Sequence, residues 1–221
     1  MRTVIFDLDG TLADTSGDLI AAANTVFRAR GLGDLLDPAV DAATAFRGGK
    51  AMLRLGYNRA GLENVEAAVE ADYAPAIEAY AASIDRHTTL YPGALEAVSE
   101  LKSLNYRVGI CTNKPVELAE TLLDRLGVID RFASLVGAGT LAVRKPDPAP
   151  YRLAVEDAGG ALEHSLLVGD TVTDRDTARA AGVPIILVTF GADADQVGDL
   201  APDATLPDYA ALVDRVRELI G

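Results

Sequence analysis

The fold is decided by the stretch Val4–Asp14, which reads Val-Ile-Phe-Asp-Leu-Asp-Gly-Thr-Leu-Ala-Asp. Its apolar beginning predicts a buried strand that ends at two aspartates one residue apart. Because successive side chains of a strand point to opposite faces, Asp7 and Asp9 lean in the same direction, and Gly10 lets the chain leave the strand sharply. Two carboxylates this close repel each other unless a cation or a proton lies between them. The stretch therefore predicts a metal-assisted active site at the tip of a strand.

Length, charge and cysteine content restrict the class of protein. The chain has 221 residues, a formal net charge of −13 and a single cysteine, and this length suffices for one large α/β domain or a domain with an insertion. No stretch concentrates Lys and Arg, so binding to nucleic acid would have to overcome net repulsion from the phosphates, and we expect no nucleic-acid partner. No apolar run approaches the about 20 residues that span a bilayer, and the N-terminus carries no targeting signal. One cysteine fits a reducing compartment. We expect a cytoplasmic protein, a monomer or homodimer, without a membrane partner.

Short apolar runs alternate with helical patterns in the second half of the chain, which predicts an α/β fold. We expect a Rossmann-like parallel sheet with helices on both faces. Gly127, Gly182 and Asn105 stand where helices should stop. The predicted strands are Thr3–Leu8, Arg107–Thr112, Phe132–Gly137, Ser165–Gly169 and Ile185–Thr189. The predicted helices are Gly93–Leu104, Val116–Leu126, Pro150–Ala158, Thr173–Ala181 and Tyr209–Ile220.

Residues 15–85 interrupt this alternation. They are rich in alanine and carry helical periodicity, and about 70 residues are far more than one crossover between strands requires. An inserted all-helical cap domain over 15–85, between core segments 1–14 and 86–221, explains this better than a long loop. Pro75 should kink or split the helix predicted over Glu63–Ile84.

Three further polar groups follow predicted strands or lie between them. They are Thr112-Asn113-Lys114, Arg144-Lys145-Pro146-Asp147-Pro148 and Gly169-Asp170 with Asp174 four residues later. Ligand sites of open α/β sheets lie at the carboxyl ends of the strands, so these groups are candidates for one site. Each also has a simpler interpretation. The first is a good start for a helix, Lys145 fits a solvated loop, and Asp174 suits the positive end of a helix as well as a metal's water shell.

Taken in order, these groups and the Asp7/Asp9 pair resemble the four motifs of the haloacid dehalogenase superfamily. The resemblance covers residues 1–14 and about 90–221, and the helical insertion is similar to that family's cap. Tyr91-Pro92-Gly93 resembles the phosphoglycolate phosphatase-like members. Dehalogenating relatives lack the second aspartate, so Asp9 favours phosphate-ester chemistry.

The resemblance implies roles for the motif residues. Asp7 would attack phosphorus and form an aspartyl-phosphate, while Asp9 would act as general acid and then as general base. The implied cofactor is Mg²⁺, which prefers oxygen ligands. The implied metal residues are Asp7, Asp9 and Asp170, and Asp174 would support the metal site. The implied phosphate-binding residues are Thr112, Asn113 and Lys145. Thr112 and Lys145 would also be catalytic, together with Asp7 and Asp9.

The expected function is Mg²⁺-dependent hydrolysis of a small phosphate monoester, with 2-phosphoglycolate preferred. Arg47 and Lys50, on either side of two glycines, are candidates for binding the substrate carboxylate, although a plain turn between cap helices explains them equally well. A pyrophosphatase, a sugar-phosphate phosphatase and a phosphomutase stay open. A catalytically silent interaction protein of the same fold stays open as a different class. A receiver-like signalling domain is disfavoured because it is about half as long and lacks the insertion.

Overall fold

The computed structural model describes residues 1–191 and 194–221. The chain forms two compact units, one made of Met1–Ala13 with Leu90–Gly221 and the other of Asp14–Thr89. The first unit contains a six-stranded sheet and the second is helical. The α/β fold is therefore confirmed, whereas the exact domain boundaries after residues 14 and 85 stay a prediction.

The six-stranded sheet is parallel throughout and has the order β5-β4-β1-β6-β7-β8. The five predicted strands are present, whereas β8 was missed because three residues are too few to show alternation. The two-residue strands β2 and β3 form a separate sheet. The strands are β1 Thr3–Phe6, β2 Ala13–Asp14, β3 Thr89–Leu90, β4 Arg107–Pro115, β5 Leu135–Ala138, β6 Ser165–Gly169, β7 Ile185–Val188 and β8 Ala204–Leu206.

The helices agree with the predicted pattern to within a few residues. The last one begins later than expected, because Tyr209–Ala211 forms a 3-10 turn before it. Asn105 and Gly182 have the positive φ of helix stops, 63° and 76°. The helices are α1 Ser16–Ala29, α2 Pro38–Phe46, α3 Gly49–Arg59, α4 Val65–Ala82, α5 Ala94–Ser103, α6 Val116–Arg125, α7 Ala149–Asp157, α8 Val172–Ala181 and α9 Leu212–Ile220. In the described part of the chain, none of them is long and apolar enough to cross a membrane.

The central strand β1 is buried along its whole length and organises the core of the sheet unit. Ile5 packs with Leu167 and with Tyr151 of α7 on one face of the sheet. Val4 and Phe6 alternate to the other face and are fully buried as well. The sheet extends from β1 in two directions, with β4 and β5 on one side and β6, β7 and β8 on the other. Ligands of such sheets bind at the carboxyl ends of the strands where the direction changes.

The helical unit has a core of its own. Phe27 of α1 meets Tyr57 of α3 edge to face with ring centroids 5.1 Å apart, and a Cβ on Gly56 would lie 2.2 Å from the Phe27 ring. Helix α4 runs through Pro75 without being split. Val69 and Ala76, on the two sides of this proline, are both buried in the same core, and this packing keeps the two halves in one helix.

Candidate active site

The acidic residues gather where two neighbouring strands end. Asp7 directly follows β1 and Asp170 directly follows β6, and the amide of Asp7 donates to the carbonyl of Val168 at 2.8 Å. Asp174 approaches from the first turn of α8, so closely that a Cβ on Gly169 would lie 2.4 Å from its Cγ. Asp7, Asp170 and Asp174 each offer a carboxylate oxygen, and these oxygens lie within 4.8 Å of one another.

Lys145 lies inside this group of acids. Its Nζ is 2.6 Å from Asp174 Oδ1 and 3.1 Å from Asp7 Oδ1, and the residue is 2% exposed. Burial alone would lower the pKa of this ammonium, but the charges of Asp174 and Asp7 raise it above its ordinary value. Lys145 is therefore a buried cation, and its interpretation as a solvated loop residue is wrong.

One ammonium does not balance three carboxylates. Burial raises the pKa of Asp7 to about 6, where Asp174 and Asp9 add to the rise and Lys145 opposes it. Burial, Asp174 and Asp7 likewise raise the pKa of Asp170 well above its ordinary value. The site thus favours an additional positive charge, and its oxygen-only donors suit a hard divalent cation.

Asp174 is anchored on both carboxylate oxygens. Oδ1 accepts a hydrogen bond from the ammonium of Lys145. Oδ2 accepts from the amide of Thr171 at 3.0 Å and from its hydroxyl at 2.7 Å. Although burial would raise its pKa, the Lys145 charge and these hydrogen bonds lower it. Asp174 belongs to the capping box that begins α8, so it serves the helix start and the acid cluster together.

Asp9 has a cation of its own, which sequence reasoning did not single out. The Nζ of Lys114 lies 2.7 Å from Asp9 Oδ1, and the lysine is 7% exposed. Lys114 comes two residues after Thr112 in β4, in the stretch where the pairing of β4 with β5 shifts register. The available signal was the position of Lys114 in a polar motif at the end of a predicted strand, and the expectation of a helix start hid it. The helix-start interpretation is wrong, because α6 begins only at Val116.

The remaining residues of this motif support their neighbours. Thr112 is 3% exposed and its hydroxyl accepts from the amide of Lys114 at 3.1 Å. Asn113 donates from its side-chain amide to the carbonyl of Lys145 at 2.9 Å. Asn113 therefore fixes the segment that carries Lys145. The roles of Thr112 and Asn113 as phosphate ligands stay predictions.

A second set of contacts that the sequence did not reveal holds Asp170. The hydroxyl of Thr11 donates to Asp170 Oδ1 at 3.1 Å, and Tyr209 donates from its hydroxyl to the carbonyl of Thr11 at 2.7 Å. The ring of Phe190 lies between those of Tyr91 and Tyr209, with centroid distances of 4.8 and 5.5 Å. Thr11 belongs to the first motif, whereas nothing in the sequence marks Tyr209 as part of a site.

Arg47 and Lys50 belong to the helical unit. Arg47 ends α2 and Gly48, with φ of 95°, leads into α3, so the stretch forms a tight turn between helices. Lys50 lies 2.6 Å from Glu70 and its ammonium is 5.2 Å from the centre of the Tyr73 ring. Contact of either cation with a substrate stays a prediction.

Comparison with known proteins places the chain in a family. A family model described as haloacid dehalogenase-like hydrolase matches residues 1–182. A phosphoglycolate phosphatase of Rhodospirillum rubrum is 37% identical over 217 residues, which cover 96% of this chain and 90% of the relative. One of Agrobacterium fabrum is 35% identical over 214 residues, covering 97% and 91%.

A solved structure has the same fold. The crystal structure of a predicted phosphoglycolate phosphatase from Haemophilus somnus 129pt aligns with a TM-score of 0.85 at 24% identity, covering 97% of each chain. With the matched family model and the relatives of more than 30% identity, the conclusion is plain: this chain belongs to the haloacid dehalogenase-like hydrolases.

Proposed function

We propose that this chain is a Mg²⁺-dependent phosphomonoester phosphatase that acts on 2-phosphoglycolate through an aspartyl-phosphate on Asp7. The observation that carries the proposal is the placement of a buried ammonium, Lys145, between Asp7 and two further carboxylates at the switch point of the sheet. The substrate is taken from relatives named phosphoglycolate phosphatase, which are 34–37% identical over most of the chain.

The acid cluster fits a metal ion of this kind. Asp7 and Asp170 would hold Mg²⁺, while Asp174, whose oxygens are already engaged, would keep Asp170 and Lys145 in place. Asp9 as a third metal residue is part of the proposal. Bound Mg²⁺ supplies positive charge that lets an anionic carboxylate approach an anionic phosphate.

The first half of the reaction is assigned to Asp7 and Asp9. Asp7 Oδ1 is fixed by the Leu8 amide at 2.7 Å and by Lys145, so we assign the attack on phosphorus to Oδ2. As the bond from Oδ2 to phosphorus forms, the bond from phosphorus to the leaving oxygen breaks, and Asp9 donates a proton to that oxygen. Lys145 and Thr112 offset and orient the phosphoryl oxygens, which is the main contribution of a protein to phosphoryl transfer.

The second half uses the same residues in reverse. Asp9 takes a proton from water, the water oxygen bonds to phosphorus, and the bond between phosphorus and Asp7 breaks. The products are the alcohol and inorganic phosphate, and the enzyme returns to its starting protonation state.

The test is a panel of phosphate compounds assayed with and without Mg²⁺: 2-phosphoglycolate, hexose phosphates, pyrophosphate and 4-nitrophenyl phosphate. We expect Mg²⁺-dependent phosphate release, with the highest kcat/KM on 2-phosphoglycolate and none for Asp7→Asn. Full activity of Asp7→Asn would remove the nucleophile assignment. Preference for pyrophosphate, or interconversion of hexose phosphates without phosphate release, would replace the proposed substrate class.

The cap residues can be tested on the same substrates. If Arg47 pairs with the substrate carboxylate, Arg47→Ala should raise KM for 2-phosphoglycolate far more than KM for 4-nitrophenyl phosphate. Arg54→Ala is a matched control, since Arg54 lies in the same unit and pairs with Glu66. Equal changes for both substrates would remove Arg47 from the proposal. The expected cytoplasmic location and oligomeric state stay predictions.

A further inference from the structure

The two aspartates of the first motif are served by two different lysines. Lys145 contacts Asp7, and Lys114 contacts Asp9 at 2.7 Å. The side chain of Lys114 is only 4% exposed, against 18% for that of Asp9. Burying an ammonium is costly unless it is paired with an anion, so this contact is a designed part of the site rather than an incidental surface pair.

We propose that Lys114 is a positioning residue that orients Asp9 for proton transfer to the leaving group. The inference rests on the proposed phosphatase function. Asp9 stands at the exit of β1, just before the turn at Gly10, where φ is 78°. A carboxyl group at such a turn loses rotational freedom when a buried ammonium holds its Oδ1, and we assign the transferred proton to Oδ2.

The placement of Lys114 in β4 links this orientation to phosphate binding. Thr112 and Lys114 lie two residues apart in β4, and the hydroxyl of Thr112 accepts from the amide of Lys114 at 3.1 Å. The residue assigned to the phosphoryl oxygen and the residue that anchors the proton donor thus move together. A shift of this short segment would misplace both at once.

Leaving-group chemistry separates this role from a general effect on phosphate binding. When the bond from phosphorus to the leaving oxygen breaks, an alkoxide needs the proton of Asp9, whereas the stable 4-nitrophenolate departs without it. A lysine that acts through Asp9 matters only for leaving groups that need the proton. A lysine that neutralises the phosphoryl group matters equally for all.

The experiment measures kcat/KM of Lys114→Met on ethyl, phenyl and 4-nitrophenyl phosphate, none of which carries a carboxylate. This ratio reports events up to release of the leaving group, so hydrolysis of the aspartyl-phosphate does not enter. We expect losses of ~100-fold on ethyl and phenyl phosphate and less than ~3-fold on 4-nitrophenyl phosphate. Lys114→Arg should restore part of the loss, because it keeps the cation. Lys114→Gln gives the same comparison if the Met variant does not fold.

Two controls complete the design. In an Asp9→Asn background, Lys114→Met should change ethyl phosphate turnover by less than ~2-fold, because the residue through which it acts is gone. Lys102→Met, an exposed lysine that donates to the carbonyl of Arg131, should change nothing.

The outcomes distinguish the two claims. Equal losses on all three esters, or a full further loss in the Asp9→Asn background, overturn the role of Lys114 and leave the phosphatase function standing. Absence of wild-type activity on every ester overturns the proposed function and this inference with it.

Discussion

The two units of the chain differ in their ion pairs: the sheet unit has pairs in which both side chains are buried, beside exposed ones such as Arg215–Glu218, whereas the helical unit has pairs with an exposed partner. In the sheet unit the pair Lys145–Asp174 has side chains that are 1% and 0% exposed. In the helical unit Arg54–Glu66 has side chains that are 43% and 63% exposed, and Lys50–Glu70 is similar. Exposed pairs contribute little to stability because water and salt screen them, whereas breaking a buried pair leaves a charge without compensation.

The difference shows that the buried ion pairs coincide with the proposed active site. The buried pairs of the sheet unit converge on the ends of β1, β4 and β6, at the residues assigned to phosphoryl transfer. The pairs of the helical unit are spread over helix surfaces. Between these extremes lies Arg59–Asp41, with an arginine side chain 41% exposed and an aspartate 4% exposed. Four variants test these environments, and they follow in order of expected effect.

The largest effect is expected for Lys145→Met. Loss of the ammonium leaves three carboxylates facing one another, so without metal the free energy of unfolding should fall by about 3 kcal/mol. Activity on 4-nitrophenyl phosphate should fall ~10³-fold, because a positive charge beside Asp7, the proposed nucleophile, is lost. Thermal unfolding in EDTA and in Mg²⁺ checks the first point.

Mg²⁺ should raise the Tm of Lys145→Met more than that of the wild type, since the ion replaces part of the missing charge. Lys102→Met provides the exposed-lysine control. An unchanged Tm in EDTA would mean that the buried pair Lys145–Asp174 contributes no more to stability than the exposed pairs do. That result would contradict the comparison between the two units.

The second-largest effect is expected for Tyr209→Phe, which tests an uncharged hydrogen bond next to the acid cluster. Removing the hydroxyl frees the carbonyl of Thr11, whose own hydroxyl holds Asp170. Asp170 is a proposed metal ligand, and mutation of residues that support a metal ligand commonly weakens metal binding, so the dissociation constant for Mg²⁺ should rise ~10-fold in calorimetric titration. Tyr106→Phe is a close control because Tyr106 is also buried and donates to a backbone carbonyl, that of Gly221, at 2.9 Å. Equal effects of the two variants would contradict the link from Tyr209 to Asp170.

The sequence predicted the acids and Lys145 because local pattern marks them. Asp7 and Asp170 come at the ends of apolar runs and Lys145 lies in a turn with two prolines. Parallel strands bring their carboxyl ends to one edge regardless of strand order. The same reasoning found the five longer strands of the sheet. It missed β8, which is too short to carry a pattern.

The contacts of Lys114 and Tyr209 were not predictable in this way. Lys114 and Asp9 are 105 residues apart, and Thr11 and Tyr209 are 198 apart. Which side chains meet over such separations depends on strand order and register, which hydrophobic periodicity does not encode. Lys114 lies where β4 shifts register against β5, which the sequence pattern does not show, and Tyr209 follows the last short strand and enters the site only through the tertiary fold.

A smaller effect is expected for Arg59→Met. Asp41 accepts two hydrogen bonds from Arg59, at 2.6 and 2.7 Å, and these lower its pKa below 3.8 although burial opposes the change. A carboxylate with a lowered pKa contributes stability that is complete above its unfolded pKa and is lost as the pH falls through its folded pKa. Since Arg59 is partly exposed, the variant should lose only about 1 kcal/mol at pH 7.

The pH dependence is the informative part of that experiment. Urea unfolding at pH 7 and pH 3 should show the difference between Arg59→Met and wild type shrinking at the lower pH, because the stability that comes from the lowered pKa of Asp41 is complete only above the unfolded pKa and is lost as the pH falls toward the folded one. A difference that stays constant with pH would show that Arg59 stabilises the helical unit through packing of its side chain instead.

The smallest effect is expected for Arg54→Ala, the exposed end of the series. Hydrogen bonds from Arg54 lower the pKa of Glu66, yet both side chains are largely exposed, so the attraction is screened and offset by lost side-chain freedom. The Tm should stay within about 2 °C of the wild type at low and at high salt. A larger, salt-sensitive drop would mean that the helical unit depends on its surface charges, and that exposure alone does not separate the ion pairs that matter in this protein from those that do not.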